Sequence, residues 1–192
     1  MSEQLLIIGA GGLGREFAVT LKNSFFSNFN LKGFVDDDIA VGTLVNSVPV
    51  LGNLSWLLNQ NEKYGLLLAI GNPQIRHKIL KKLQNCSFYY PTIIHPNVSI
   101  HDTETVSIGK GCFIADGCIL TTAITIEDFC FLNTSCSLQH DAYIETNSVL
   151  MPGVRITGGA RIGSGTYIGP NCVVASACEI PSFSIIKDSI LY

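Results

Sequence analysis

From Ile108 onward every sixth residue is aliphatic: Ile108, Ile114, Leu120, Ile126, Leu132, Leu138, Ile144, Leu150, Ile156, Ile162, Ile168, Val174, Ile180 and Ile186. Ile94 and Ile100 begin the same series, which slips by two residues around 102–106. Four residues behind it runs a second series, mostly of small side chains: Cys112, Cys118, Ile124, Cys130, Cys136, Ala142, Ser148, Val154, Ala160, Thr166, Cys172, Cys178 and Ser184. A period of six fits neither an α-helix nor a hairpin sheet. It is the hexapeptide repeat of a parallel β-helix, in which each hexad is a short strand and a corner, and three hexads make a triangular coil of about eighteen residues. The aliphatic residue fills the core and the small one fits inside the corner.

The chain ahead of this repeat has a different rhythm. Apolar runs at 5–8, 31–35, 66–70 and 87–92 read as strands. Helical spacing follows from Leu13 to about Asn23 and from Gln74 to Leu83, and a turn over Val48–Gly52 leads into a short helix at Leu54–Leu58. Strand alternating with helix predicts a small parallel α/β sheet. The predicted organisation is therefore 1–92 as a Rossmann-like half domain and 93–192 as the β-helix.

Composition narrows the function classes. The chain has 192 residues, 47% of them hydrophobic and 14% charged, with a formal net charge of −3. That balance describes a folded chain and argues against nucleic acid as a partner. No apolar run reaches the roughly 18–20 residues of a membrane span. The start, Met1-Ser2-Glu3-Gln4, lacks the basic segment and cleavage site of a secretory signal, so a soluble cytoplasmic protein is expected. Six of the seven cysteines fall in the small-residue series. Cys112 and Cys130, like Cys118 and Cys136, should stack on adjacent coils about 4.8 Å apart. Parallel side-chain vectors fit a disulfide poorly, so these residues are expected to be small buried hydrophobes, with no metal.

Two places break the plainness of the pattern. Gly9-Ala10-Gly11-Gly12-Leu13-Gly14 lies between a strand and a helix, where glycines allow a phosphate to approach a helix N-terminus. Asp36 closes the second strand, where a carboxylate can meet a ribose hydroxyl. About ninety residues are too few for a two-halved dinucleotide fold, so one nucleotide, as in a nucleotide-sugar, fits better; a glycine turn used only for packing is the alternative. The second place is His140-Asp141, at an outward corner one coil before Gly158-Gly159. A neutral imidazole there suits a general base near pH 7, while a solvated surface histidine is the plain reading. His77, His95 and His101 read as structural or solvated.

The whole ordered set resembles bacterial nucleotide-sugar acetyltransferases of the left-handed β-helix kind, the group of sialic acid O-acetyltransferases and UDP-4-amino-sugar N-acetyltransferases. The resemblance rests on Gly9–Glu16, Phe34-Val35-Asp36-Asp37-Asp38, Ala69-Ile70-Gly71-Asn72 with Arg76, Ile94-His95-Pro96, Leu132-Asn133-Thr134 and His140-Asp141. It implies the left hand of the coil, a homotrimer, and acetyl-CoA as co-substrate between neighbouring β-helices, lined by Val149, Gly158, Gly169 and Pro170. It implies a UDP-amino-sugar held by Gly11, Gly12, Leu13, Asp36, Asp37, Gly71 and Asn72, and His140 as the base, tuned by Asp141. The expected activity is N-acetylation of that sugar for surface glycan or glycoprotein synthesis. O-acetylation of a sialic-acid-like sugar, and a non-catalytic nucleotide-sugar-binding protein, remain open beside it. Three features depart from the family pattern. Leu13 stands where several relatives place a histidine, Val149 replaces a polar residue, and the sequence ends at Tyr192 where relatives usually continue into a Gly-x-Pro-Ala-Lys tail, which leaves the adenine end of the CoA site open.

Overall fold

The computed structural model describes residues 3–189; Met1, Ser2 and the last three residues, read above as part of the two termini, lie outside them. The chain divides into two compact units, one of Met1–Gly71 with Lys78–Pro91, the other of Asn72–His77 with Thr92–Tyr192.

In the first unit, β1 (Glu3–Ile8), β2 (Phe29–Val35), β3 (Leu44–Val45), β4 (Val48–Gly52) and β5 (Gly65–Leu68) form one sheet in the order β3-β4-β2-β1-β5. All pairs are parallel except the β3–β4 hairpin. Helices α1 (Gly12–Leu21) and α2 (Leu54–Leu58) follow β1 and β4, and α3 (Pro73–Leu83) follows β5. Leu5 to Ile8 are all buried, as a strand covered on both faces requires. Two expectations are corrected. Val48–Gly52 is a strand paired to β2, not a turn: its short run lacked clear alternation, and its pairing comes from the neighbouring strand. Residues 87–92 form only a bridge, Gly65 with Tyr89, because Pro91 supplies no N–H to extend a ladder.

In the second unit the hexads become two-residue strands from Ile93–Ile94 to Ile185–Ile186, stacked in three parallel sheets. Pairing joins residues eighteen apart, as Leu120 with Leu138 and Ile126 with Ile144, and twenty apart across the slip, as Ile94 with Ile114 and Ile100 with Leu120. The predicted aliphatic series forms one column, buried from Ile114 to Ile180, with Ile94, Ile100, Ile108 and Ile186 half-buried at its ends. The two-residue slip is real and falls between Ile100 and Ile108. Asp102 braces it, accepting from the backbone of Glu104 and Thr105 and from the hydroxyls of Thr105 (2.6 Å) and Thr122 (2.7 Å). Those two hydroxyls hold its carboxyl below the ordinary range.

A third period of six sets the corners. Every sixth residue from Gly111 to Phe183 has a left-handed backbone, with φ between 53° and 73°. Gly, Asn and Asp fill most of these positions, as L-residue sterics favour, but Ala123, Phe129, Ser135, Ala177 and Phe183 do not. The small-residue series does more than save space. The thiols of Cys112, Cys118, Cys130 and Cys136 and the hydroxyls of Ser148 and Thr166 each donate to a carbonyl fifteen residues on, at 3.1–3.3 Å. All seven cysteines are free thiols.

Candidate active site

The β-helix presents three columns of corners, and His140 sits on the one built from Thr122, His140, Gly158 and Ser176. The backbone ties these levels together. Asp141 N donates to Thr122 O (3.2 Å), Gly159 N to His140 O (2.9 Å) and Ala177 N to Gly158 O (2.9 Å). The imidazole leans over Gly158: a Cβ there would overlap its Cε1 and lie 2.5 Å from Nε2. Any larger residue at 158 would push the exposed ring out of this pose, and the absence of side chains at 158 and 159 leaves the corner bare beyond the ring.

Asp141 makes the contact that adjacency alone does not guarantee. Its φ of 62° turns the carboxylate back toward the imidazole, and His140 Nδ1 lies 2.8 Å from Asp141 Oδ2. An ionised carboxylate only accepts, so Nδ1 carries the hydrogen and Nε2 presents the lone pair. Both side chains are about two-thirds exposed, at 65% and 66%, so within one chain the imidazole faces solvent. His95 and Asp116 form a separate pair at 3.2 Å on another corner.

The residues expected to line acetyl-CoA are not gathered by one chain. Gly158 lies beside His140. Gly169 and Pro170 lie on a different corner column, where Gly169 is buried and donates to Ile186 O (2.8 Å) and Pro170 is exposed. Val149 is fully buried, in register between Phe131 and Tyr167. Strand alternation turns it outward from the coil, and what buries an outward residue is tertiary.

In the first unit, the loops after β1 and β5 meet. β1 lies between β2 and β5, and the chain reverses its direction of travel across the sheet at β1–β5. Such a switch point, at the carboxyl ends of the strands, is where α/β sheets bind ligands. Gly14 has no room for a Cβ, which would overlap Gly9 O, and a Cβ on Gly9 would lie 2.8 Å from Ala69 O. These glycines pack the loops. Gly11, Gly12 and Gly71 differ: added carbons there would meet open space or only the Arg15 guanidinium, 3.8 Å from Gly12. The N-terminus of α1 carries no side-chain cap and no acidic residue in its first turn, which leaves its N–H groups for an anion. Leu13 is half-buried.

Asp36 and Asp37 have structural partners. Asp36 Oδ2 accepts from Ala10 N (2.8 Å), bracing the glycine loop, and Oδ1 accepts from Asp38 N and Ile39 N. Asp37 Oδ1 accepts from Leu54 N (2.8 Å) at the start of α2. In the second unit Asn72 Oδ1 caps α3 through Gln74 N (2.9 Å) and Ile75 N (3.1 Å). The sequence reading missed Asn147, which is buried and hydrogen-bonded to Arg76 and to Pro73; the six-residue recurrence of Gly, Asn and Asp was the signal for its corner, but nothing signalled its partners. Among the described residues no group of three or more His, Cys, Asp or Glu is placed to hold a metal, and no helix is long and apolar enough to cross a membrane.

Residues 4–83 match the family model of the PglD N-terminal domain. No curated protein matches the sequence. Among solved structures, the acetyltransferase domain of PglB from Neisseria gonorrhoeae FA1090, in complex with acetyl coenzyme A, is 26% identical, with 96% of each chain covered and a TM-score of 0.79. A mutant of perosamine N-acetyltransferase from Caulobacter crescentus, in complex with CoA and GDP-perosamine, shares the fold at 22% identity and a TM-score of 0.74, covering 99% of this chain and 90% of that one. WeeI from Acinetobacter baumannii AYE shares it at 23% identity and 0.67, covering 97% and 93%. Residues 4–83 thus match the PglD N-terminal domain, and over nearly its whole length the chain resembles the acetyltransferase domain of PglB.

Proposed function

We propose that this protein transfers the acetyl group of acetyl-CoA to the amine of a UDP-linked amino-sugar, with His140 as general base. The observation that carries the proposal is the 2.8 Å contact between His140 Nδ1 and Asp141 on a corner kept bare by Gly158. The PglB domain bound to acetyl coenzyme A supports the donor, and the perosamine N-acetyltransferase supports an amino-sugar on a nucleotide.

In the proposed reaction the neutral amine attacks the thioester carbonyl. The C–N bond forms as Nε2 of His140 takes the amine proton. The tetrahedral adduct then collapses, the C–S bond breaks, and the imidazolium returns its proton to the departing thiolate. Asp141 stabilises the imidazolium and holds Nε2 toward the acceptor. Acetyl-CoA runs past Gly158, and Gly169 and Pro170 contribute from another corner column. A ligand touching both columns of a triangular coil is best served by neighbouring copies, which supports a homotrimer. The nucleotide-sugar rests its phosphates on Gly11 and Gly12 at the α1 N-terminus, with Leu13 and Gly71 beside it and Asp36 and Asp37 holding the loops in shape. The product would enter surface glycan or glycoprotein synthesis in the cytoplasm.

The test is acetyl transfer from acetyl-CoA to a panel of UDP-linked 4-amino-sugars and their 4-hydroxyl counterparts. Transfer to the amine is expected, and His140→Ala should lower kcat by roughly 10²–10⁴-fold while the chain stays folded. Transfer only to hydroxyls would reassign the acceptor, and near-normal activity of His140→Ala would remove the base from the mechanism.

A further inference from the structure

The corner column of His140 is open on one side of the ring and occupied on the other. Toward Gly158 and Gly159 the corner carries no side chain, and a Cβ on Gly159 would meet nothing nearer than the Ala177 backbone, at 3.9 Å. In the opposite direction stands Thr122, whose hydroxyl donates to Asp102 at 2.7 Å and lies 3.1 Å from that of Thr105. The imidazole leans over Gly158, so a group that meets Nε2 rests on the bare corner. A long substituent on that group leaves along the column over the next corner, Ser176-Ala177, which carries two small exposed side chains. The other way along the column is taken up by the ring itself.

The Ser176 hydroxyl has a fixed sense. It donates to Thr157 Oγ1 at 3.2 Å, and Thr157 Oγ1 donates its own hydrogen to the carbonyl of Val174 at 2.7 Å. A hydroxyl has one hydrogen. That of Thr157 is committed to Val174, so Thr157 accepts from Ser176, and Ser176 offers a ligand only its lone pairs. The group that suits it is an N–H or O–H donor. Spacing narrows the choice further. Neighbouring coils lie about 4.8 Å apart. In a pantetheine thioester four bonds separate the thioester carbon from the first amide nitrogen, a reach of about 5 Å at the roughly 1.2 Å advance per bond of an extended chain. A thioester over Gly158 therefore brings that amide N–H to the level of Ser176.

We propose that Ser176 is a donor-binding residue: its hydroxyl, oriented by Thr157, accepts a hydrogen bond from the first amide N–H of the pantetheine arm of acetyl-CoA, and so favours thioesters that carry that amide. The contact rests on the acetyltransferase function proposed above, and every protein group in it belongs to the β-helix unit.

The experiment is steady-state kinetics on a UDP-linked 4-amino-sugar for the wild type, Ser176→Ala and Ser176→Thr. The donors are acetyl-CoA, S-acetyl-N-acetylcysteamine, which keeps the first amide, and S-butyl thioacetate, which lacks it. Threonine already occupies the same column at Thr122, so Ser176→Thr keeps the hydroxyl on a corner that accepts the residue. One neutral hydrogen bond corresponds to about three- to tenfold in affinity. Ser176→Ala should raise the KM for acetyl-CoA by about that factor, with kcat within about twofold of wild type. It should also lose the wild type's preference for the amide-bearing short donor, while Ser176→Thr keeps both. A wild-type KM for acetyl-CoA in Ser176→Ala overturns the proposal, as does an equal loss on the donor without the amide. Calorimetric titration with CoA separates the contact from the reaction. Binding weakened by Ser176→Ala, without transfer by the wild type to any acceptor, keeps the contact and defeats the proposed transfer. Absence of CoA binding by the wild type defeats both.

Discussion

Two corners of the same β-helix have the same backbone and opposite uses. At the histidine corner the left-handed positions are Ala123, Asp141, Gly159 and Ala177; at the helix corner they are Gly111, Phe129, Asn147, Gly165 and Phe183. The first is stripped of bulk around one imidazole. The second is loaded with side chains that hold α3. A coil repeated every eighteen residues gives each corner the same carbonyls and amides, so the difference is made by which side chains the corner carries. A hexapeptide repeat is a neutral frame, and function enters where its side chains depart from the repeat's own requirements.

That comparison breaks first at Gly158. Gly158→Ala puts a methyl into the imidazole and should cut kcat by roughly 10–100-fold, since displacement of a catalytic group by about 1 Å is enough for such a loss; assay and circular dichroism together check that the coil survives. The next effect is at Asp141. Asn tolerates the left-handed corner but cannot stabilise an imidazolium as a carboxylate does, so Asp141→Asn should lower kcat by about tenfold with an unchanged melting temperature. A larger loss with unfolding would make Asp141 a folding residue first.

The insertion beside the histidine corner gives a pH prediction. Asp102 titrates below its ordinary 3.8 in the folded chain. It therefore favours the fold above that value, and its contribution fades as pH falls through the lower, folded pKa. Asp102→Asn should lower the melting temperature near pH 7, where the contribution is fully present, and flatten the acid limb of a melting-temperature-versus-pH curve. The smallest effect concerns the frame alone. Ala177 is an exposed left-handed residue with no glycine's freedom; Ala177→Gly should stabilise the protein by about 0.5–1 kcal/mol, read as a rise in urea midpoint.

The β-helix was legible in the sequence because a coil core admits one aliphatic residue per strand, and the fourteen-residue series shows it without a gap. The slip at 102–106 was legible for the same reason. β4 was not, because a strand of five residues with a proline in it takes its identity from the neighbour it pairs with. His140 stood out as a polar interruption beside two glycines. Its contact with Asp141 was undecided, since neighbouring side chains meet only if the backbone between them turns, and the left-handed φ at 141 supplies that turn. Val149 shows the reverse: alternation places it outward from the coil, yet it is fully buried.

The sequence by itself determined the period, the core and the residue types available for chemistry, because these follow from local volume and hydrogen-bonding demands that recur every six residues. Only the tertiary structure decided which of those residues meet. It seated His140 over Gly158, gave both oxygens of Asp36 to backbone amides, and brought Arg76 to Asn147 across 71 positions of chain. Contacts between residues on different coils, or between a helix turn and a corner, depend on how distant segments stack, and no local pattern encodes that.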